Sequence, residues 1–248
     1  MTLFQAFLLG LIQGFTEFLP VSSSGHLVIA QTFMEITQPP LIFDVLVHVG
    51  TLIAVIIFFS KRLLKLDLKW LRYLSLGTLP AFIVGILVKP YLQNIFTSLT
   101  VVIIGLYLTG FWLLSLNLTK KNSKTSNLNN SKAGIIGMFQ AMAILPGISR
   151  SGSTVVGGLH LGLTKADAFF FSFLLSIPAI LGAQVLQLTE ITNWALLFNP
   201  TNLVGFTSAA SSGLLALRFL QILINKTKLH LFGYYCLFIA SLLTILIH

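Results

Sequence analysis

The sequence predicts an all-α polytopic membrane protein: six transmembrane helices plus two re-entrant helical hairpins related as inverted-topology repeats. Three observations predict it. Hydrophobic residues make up 56% of the 248 and charged residues 8%, with a mean hydropathy of +0.94. Soluble domains carry about 25% charge, so a water-soluble globular enzyme is excluded, and disorder goes with it. Six unbroken apolar stretches each approach the ~20 residues that ~30 Å of hydrocarbon demands of a helix, without the alternating segments of a membrane barrel. Two further apolar stretches are interrupted by Pro, Ser and Gly. One integral domain, 1–248, accounts for the whole chain.

The first interrupted stretch, 3–33, is broken by Pro20-Val21-Ser22-Ser23-Ser24-Gly25-His26. No basic segment precedes it and it holds Gln13 and Glu17, so it reads as part of the fold and not as a cleavable signal. Spans follow at 41–59, 71–89 and 99–118, and then a polar Asn/Ser/Lys loop, 119–132. The second interrupted stretch, 134–163, is broken by Pro146-Gly147-Ile148-Ser149-Arg150-Ser151-Gly152-Ser153-Thr154. Spans at 168–188, 203–224 and 231–247 complete the chain. Proline removes a donor and Gly permits the turn, so each interrupted stretch reads as helix–loop–helix, dipping in and returning to its own side. Irregular backbone at that depth needs protein or a wet cavity around it. Cys236 lies in an apolar run and can form no internal disulfide.

The formal charge of +9 comes from short cationic clusters between apolar runs. That pattern predicts orientation among membrane lipids, not nucleic-acid binding. With both hairpins returning to their own side, twelve of the fifteen cations fall on the cytoplasmic face and both termini face out. A single bent crossing at 134–163 would move Lys165, Lys226 and Lys228 outside, against the rule. The two breaks resemble each other: Gln13 and Gln140 precede Pro-x-Ser and Pro-x-x-Ser turns 127 residues apart. A motif repeated from opposite faces is the mark of an inverted repeat.

Ionisable residues inside a membrane are costly and so are candidates for function. Glu17 lies one turn after Gln13 on one helix face, and together they offer hard oxygen donors to a cation. The alternative for Glu17 is a hydrogen bond to the serine loop behind it. Arg150 cannot shed its proton and sits among Ser149, Ser151, Gly152, Ser153 and Thr154 at a helix start, the makings of a phosphate cradle. Its alternative is a salt bridge to Glu17, and the two are compatible. Ser22, Ser23, Ser24 and His26 form a compact set in which Ser23 and His26, if helical, share a face as nucleophile and base do; the alternatives are a His26 that activates water directly and a structural, hydrogen-bonded His26. Asp44 and His48, at i and i+4, read as a capped helix start, with a functional pair as the alternative; His160, His230 and His248 read as incidental, and the 169–173 Phe run as lipid-facing or packing surface.

At these residues the sequence resembles the bacterial undecaprenyl-diphosphate phosphatase family, the bacitracin-resistance membrane phosphatases. Gln13 through His26 is similar to the family's (E/Q)xxxE motif with its Pro-x-Ser-Ser-x-Gly-His, and Pro146 through Gly152 to its PGxSRSG. The blocks around Phe43–Val55 and Phe171–Pro178 resemble two more. The resemblance implies hydrolysis of the C55 polyprenyl diphosphate in the bacterial plasma membrane, at a pocket open to the outer side, with a divalent cation, Mg or Ca. It implies metal-binding roles for Gln13 and Glu17, nucleophile and acid/base roles for Ser23 and His26, and diphosphate binding by Arg150. Ser22, Ser24, Ser149, Ser151 and Gly152 fall beside these as substrate contacts. Phe170 departs from the family, where Glu is frequent, and Gln13 adds no charge toward a metal. A lipid-carrier flippase is the rival class. A type-2 phosphatidate phosphatase wants His six residues after the Arg, where Val156 stands, and is rejected. A homodimer is left open.

Overall fold

The computed structural model describes residues 1–36, 41–91, 95, 98–117, 127–189, 191, 194–226 and 228–247. The expectations for Lys120, Lys121, Lys124, Glu190 and His248 lie outside these. Among the described residues there are ten α-helices and no strand. They are α1 (Leu3–Phe18), α2 (Ser23–Phe33), α3 (Leu41–Leu63), α4 (Leu68–Val88) and α5 (Leu99–Ser115). The second half holds α6 (Asn130–Met142), α7 (Arg150–His160), α8 (Lys165–Leu188), α9 (Pro200–Asn225) and α10 (His230–Ile247).

Five of them, α3, α4, α8, α9 and α10, are long and apolar enough to cross a membrane. The protein is therefore a helical, polytopic membrane protein. The other expected span, α5, is shorter at 17 residues. Several spans start earlier than the hydropathy predicts, because the helix begins at a polar cap beyond the apolar stretch. Asp67 caps α4, Thr164 caps α8, and Asn199 with Pro200 at the first position starts α9.

The two interrupted stretches are helix pairs. At 1.5 Å per residue α1 is about 24 Å long, α6 about 20 Å, and α2 and α7 about 16 Å each, all less than the apolar thickness. The arms pack on each other, α1 on α2 and α6 on α7. Each first arm then lies along a span of the opposite half: α1 on α9, and α6 on α4. Both contacts are backbone-close. A Cβ on Gly14 would come within 2.5 Å of Ala209 O, and one on Gly137 within 2.5 Å of Gly77 O. Lipid tails are as apolar as leucine, so small residues that let helices approach do more here than hydrophobic burial does. Helix α3 packs on α8, and α5 on α10.

Phe169, Phe170, Phe171 and Phe173 are buried, in tilted and edge-on ring contacts with Phe18, Phe59 and Trp70. Of the two expectations for this run, packing is the one realised. Phe170 fills its position with an aromatic ring beneath the Arg62 guanidinium. His160 ties the end of α7 to α5 through Ser115 Oγ at 2.9 Å.

Candidate active site

The first break is fixed by Pro20. A proline would clash with the carbonyl one turn back, so α1 stops at Phe18 and Leu19 turns extended. The chain reverses at Ser22, whose φ of 70° lies in the left-handed region. Ser22 then caps α2, its Oγ accepting the Gly25 N–H at 3.3 Å. This turn folds Ser23 back over the last turn of α1. Ser23 Oγ donates to Glu17 Oε2 at 2.7 Å, and Gln13 Nε2 donates to the same oxygen at 3.0 Å.

The second break is fixed by Gly147, at φ 89°. Its carbonyl accepts from Thr109 Oγ1 on α5 at 2.9 Å, and the Thr109 oxygen in turn accepts the Ser149 N–H at 2.9 Å. Ser149 caps α7 by accepting the Gly152 N–H at 3.0 Å, and Ser151 Oγ donates to Leu19 O of the first break at 3.2 Å. The breaks touch elsewhere too: a Cβ on Gly25 would sit 3.2 Å from Gly147 Cα, and one on Gly152 3.2 Å from Pro20 Cβ.

Arg150, the first residue of α7, reaches across this seam. Its Nη2 donates to Glu17 Oε1 at 2.5 Å, with side-chain exposures of 15% and 7%. Neither charge is tolerable alone at that burial, and each compensates the other. The pairing leaves valences open: among the described residues, Arg150 Nη1 and Gln13 Oε1 are buried without a hydrogen-bond partner. The centre therefore presents a free guanidinium donor, a hydroxyl on a carboxylate, and a helix start.

The structure thus brings Gln13, Glu17, Ser23 and Arg150 together, with Ser149, Ser151 and Gly152 in the adjoining turn. Both alternatives raised for Glu17 and Arg150, the bond to the serine loop and the salt bridge, are present. Ser24 stands apart, 3.4 Å from Ser22 Oγ. Ser23 and His26 are not hydrogen-bonded to each other. His26 Nδ1 donates to Ser22 O at 2.8 Å, and its Nε2 accepts from the Tyr235 hydroxyl at 2.8 Å. Sequence reasoning missed Tyr235 and Thr109, whose only sign was a hydroxyl in an apolar helix. His48 Nδ1 donates to Asp44 O one turn back in α3 at 2.7 Å.

The donor set bears on the divalent cation. Among the described residues no three His, Cys, Asp or Glu side chains are grouped to hold a metal. What the site offers is one carboxylate and the orphaned Gln13 Oε1. That set fits a Mg-type ion, which takes one or two carboxylates and completes its shell with substrate phosphate and water.

Fold and site define a class: a helical membrane protein whose polar centre forms where two broken helices touch, one bringing Glu17 and the other Arg150 at the capped start of α7. The chain belongs to the bacitracin resistance protein BacA family, which matches residues 6–242. It is 40% identical over 255 residues to the undecaprenyl-diphosphatase of Halothermothrix orenii, covering 99% of this chain and 98% of that protein. It is 42% identical over 248 residues to that of Carboxydothermus hydrogenoformans (95% and 94%), and 38% over 260 residues to that of Korarchaeum cryptofilum (97% of each).

Proposed function

We propose that the chain hydrolyses undecaprenyl diphosphate to undecaprenyl phosphate and inorganic phosphate. That reaction recycles the lipid carrier of cell-wall synthesis and underlies bacitracin resistance. The observation that carries the proposal is Arg150, held on Glu17 by Nη2 with Nη1 unpartnered, at the capped start of α7. A diphosphate entering there meets a guanidinium fork and first-turn N–H groups, which favour anions.

Arg150 exchanges part of its bond to Glu17 for the terminal phosphoryl group, and the freed carboxylate becomes more basic. Ser23 already donates to Glu17, so its proton passes to that carboxylate as its oxygen approaches phosphorus. The Ser23 Oγ–P bond forms as the bond between the terminal phosphorus and the bridging oxygen breaks, and the polyprenyl monophosphate leaves; water then attacks the phosphoserine, releasing inorganic phosphate while Ser23 Oγ recovers its proton from Glu17. His26 is turned away from Ser23, and the nitrogen that can take the water's proton is Nε2, once the Tyr235 hydroxyl yields that lone pair. Positioning and fixed charge supply most of the rate, as in phosphoryl transfer generally. A divalent cation, Mg or Ca, would be held through Glu17 and Gln13 Oε1 and would supply neutralisation of phosphate charge.

Six spans, two inverted repeats and an outward-facing site in the plasma membrane belong to the same reading. The reciprocal packing of α1 on α9 and α6 on α4, with α3 on α8 and α5 on α10, supports the repeat. The Lys61, Arg62, Lys65, Lys69 and Arg72 cluster supports the orientation.

The test is phosphate release from polyprenyl diphosphate by the detergent-solubilised chain, without any gradient. Release is expected, should fall to background with a chelator, and should return with added Mg or Ca. No release by intact, folded protein would overturn the phosphatase in favour of a flippase. Release unaffected by chelator would remove the metal.

A further inference from the structure

We infer that Tyr235 is a positioning residue for His26, acting through its phenolic hydroxyl; the inference rests on the phosphatase reading above. A backbone carbonyl can only accept, so the 2.8 Å contact with Ser22 O places the hydrogen on His26 Nδ1. In the neutral ring Nε2 is then a bare lone pair. The Tyr235 O–H lies 2.8 Å from it, 209 residues away in sequence. The two rings lie nearly parallel, inclined by 12° with centroids 5.7 Å apart, so ring contact and hydrogen bond act on the imidazole together. Both ring nitrogens are thus engaged and the imidazole has one orientation.

Helix α10 is seated to deliver this contact. Cys236 is fully buried and its thiol donates to Pro20 O at 3.7 Å, so successive residues of α10 grip the break of the first hairpin. One turn earlier, a Cβ on Gly233 would lie 3.0 Å from Gly110 O of α5. The titratable groups around His26 are Tyr235 and Cys236 from α10 and, beyond Ser23, the Glu17–Arg150 pair from α1 and α7. From α5, Val102 and Leu106 are buried against this break, with the partly buried Tyr107 in the same cluster, its hydroxyl bonded to Ser241 Oγ at 3.1 Å. Among the described residues Tyr235 is the hydroxyl that bonds Nε2, and it is 40% exposed. Any proton that His26 takes or returns at Nε2 does so in contact with that hydroxyl.

Tyr235→Phe keeps the ring and removes the bond, whereas Tyr235→Leu removes both. Each variant of the full chain in detergent is assayed for phosphate release from polyprenyl diphosphate across pH. Both are expected to lose about tenfold in kcat with KM unchanged, the loss of one hydrogen bond being worth roughly that factor. The sign of the pH effect follows from the donor. A hydrogen bond to the lone pair favours neutral imidazole, so its removal moves the histidine inflection to higher pH. The His26 signals in the spectrum of ¹⁵N-histidine-labelled protein should move the same way, independently of turnover. Tyr235→Phe at wild-type kcat with only Tyr235→Leu impaired would overturn the inference in favour of packing. A slowed Tyr235→Phe with unmoved pH profile and His26 signals would overturn it too. Wild-type protein that releases no phosphate fails the phosphatase reading instead.

Discussion

Arg150→Ala should abolish phosphate release, by about 10³-fold or more, and should also destabilise the protein. Removing a single preorganised donor from a developing oxyanion costs roughly 10²–10³, and Arg150 supplies both a fork and a full charge. The second effect has a separate origin. The substitution strands Glu17, 7% exposed, without its counter-charge, and breaking a buried pair costs about 3–5 kcal/mol. Arg150→Lys keeps a cation on Glu17 but loses the planar fork, so it should retain most of the stability and little of the rate. The double variant Glu17→Gln/Arg150→Met removes both charges and should recover much of the lost melting temperature with no recovery of turnover. Thermal melts in detergent alongside phosphate release separate the two roles. Near-normal turnover in Arg150→Ala would sink the site, whatever the melt.

How much of this could be read from the chain differs between fold and site. The spans were legible because apolar length is a one-dimensional property. Their starts were less so, since Asp67, Thr164 and Asn199 begin helices in the polar layer, where hydropathy carries no signal. Glu17 and Arg150 stood out because an ionisable group in an apolar run must be compensated, and a salt bridge between them was one of the compensations open to Arg150. Which hydroxyl meets which acid was not legible. Ser23 and His26 do share a face of α2, but helical side chains lean toward the N-terminus. Ser23, at the first position, therefore leans onto Glu17, while His26 finds the Ser22 carbonyl one turn back. The left-handed turn at Ser22 decides this, and serine gives no warning of a positive φ. Tyr235 and Thr109 were invisible for another reason. Each is a hydroxyl on an otherwise apolar helix, and its meaning depends on which break the helix is laid against.

Gly147→Ala should be the most disruptive substitution that touches no charged group. At φ 89° an L side chain is strained, by about 1–3 kcal/mol. The added methyl would also lie 2.2 Å from Val102 O and 2.9 Å from Gly105 Cα, both of α5. These are backbone atoms, so relief requires the break and the helix to separate, with an overpacking cost of about 1–3 kcal/mol more. Separation has a chemical consequence, because Thr109 on α5 bridges the Gly147 carbonyl and the Ser149 N–H. Once that bridge opens, the cap that aims Arg150 is no longer held, and a misplacement of about 1 Å is enough to cost roughly 10²-fold in rate. Gly134→Ala supplies the control: it lies in α6, where an added Cβ meets nothing within 4 Å, and Ala favours a helix. It should leave turnover unchanged and leave the melting temperature equal or slightly raised, while Gly147→Ala lowers both. If the two variants behave alike, the break is not the rigid mount for Arg150 that its contacts describe, and the cradle must be ordered by the substrate instead.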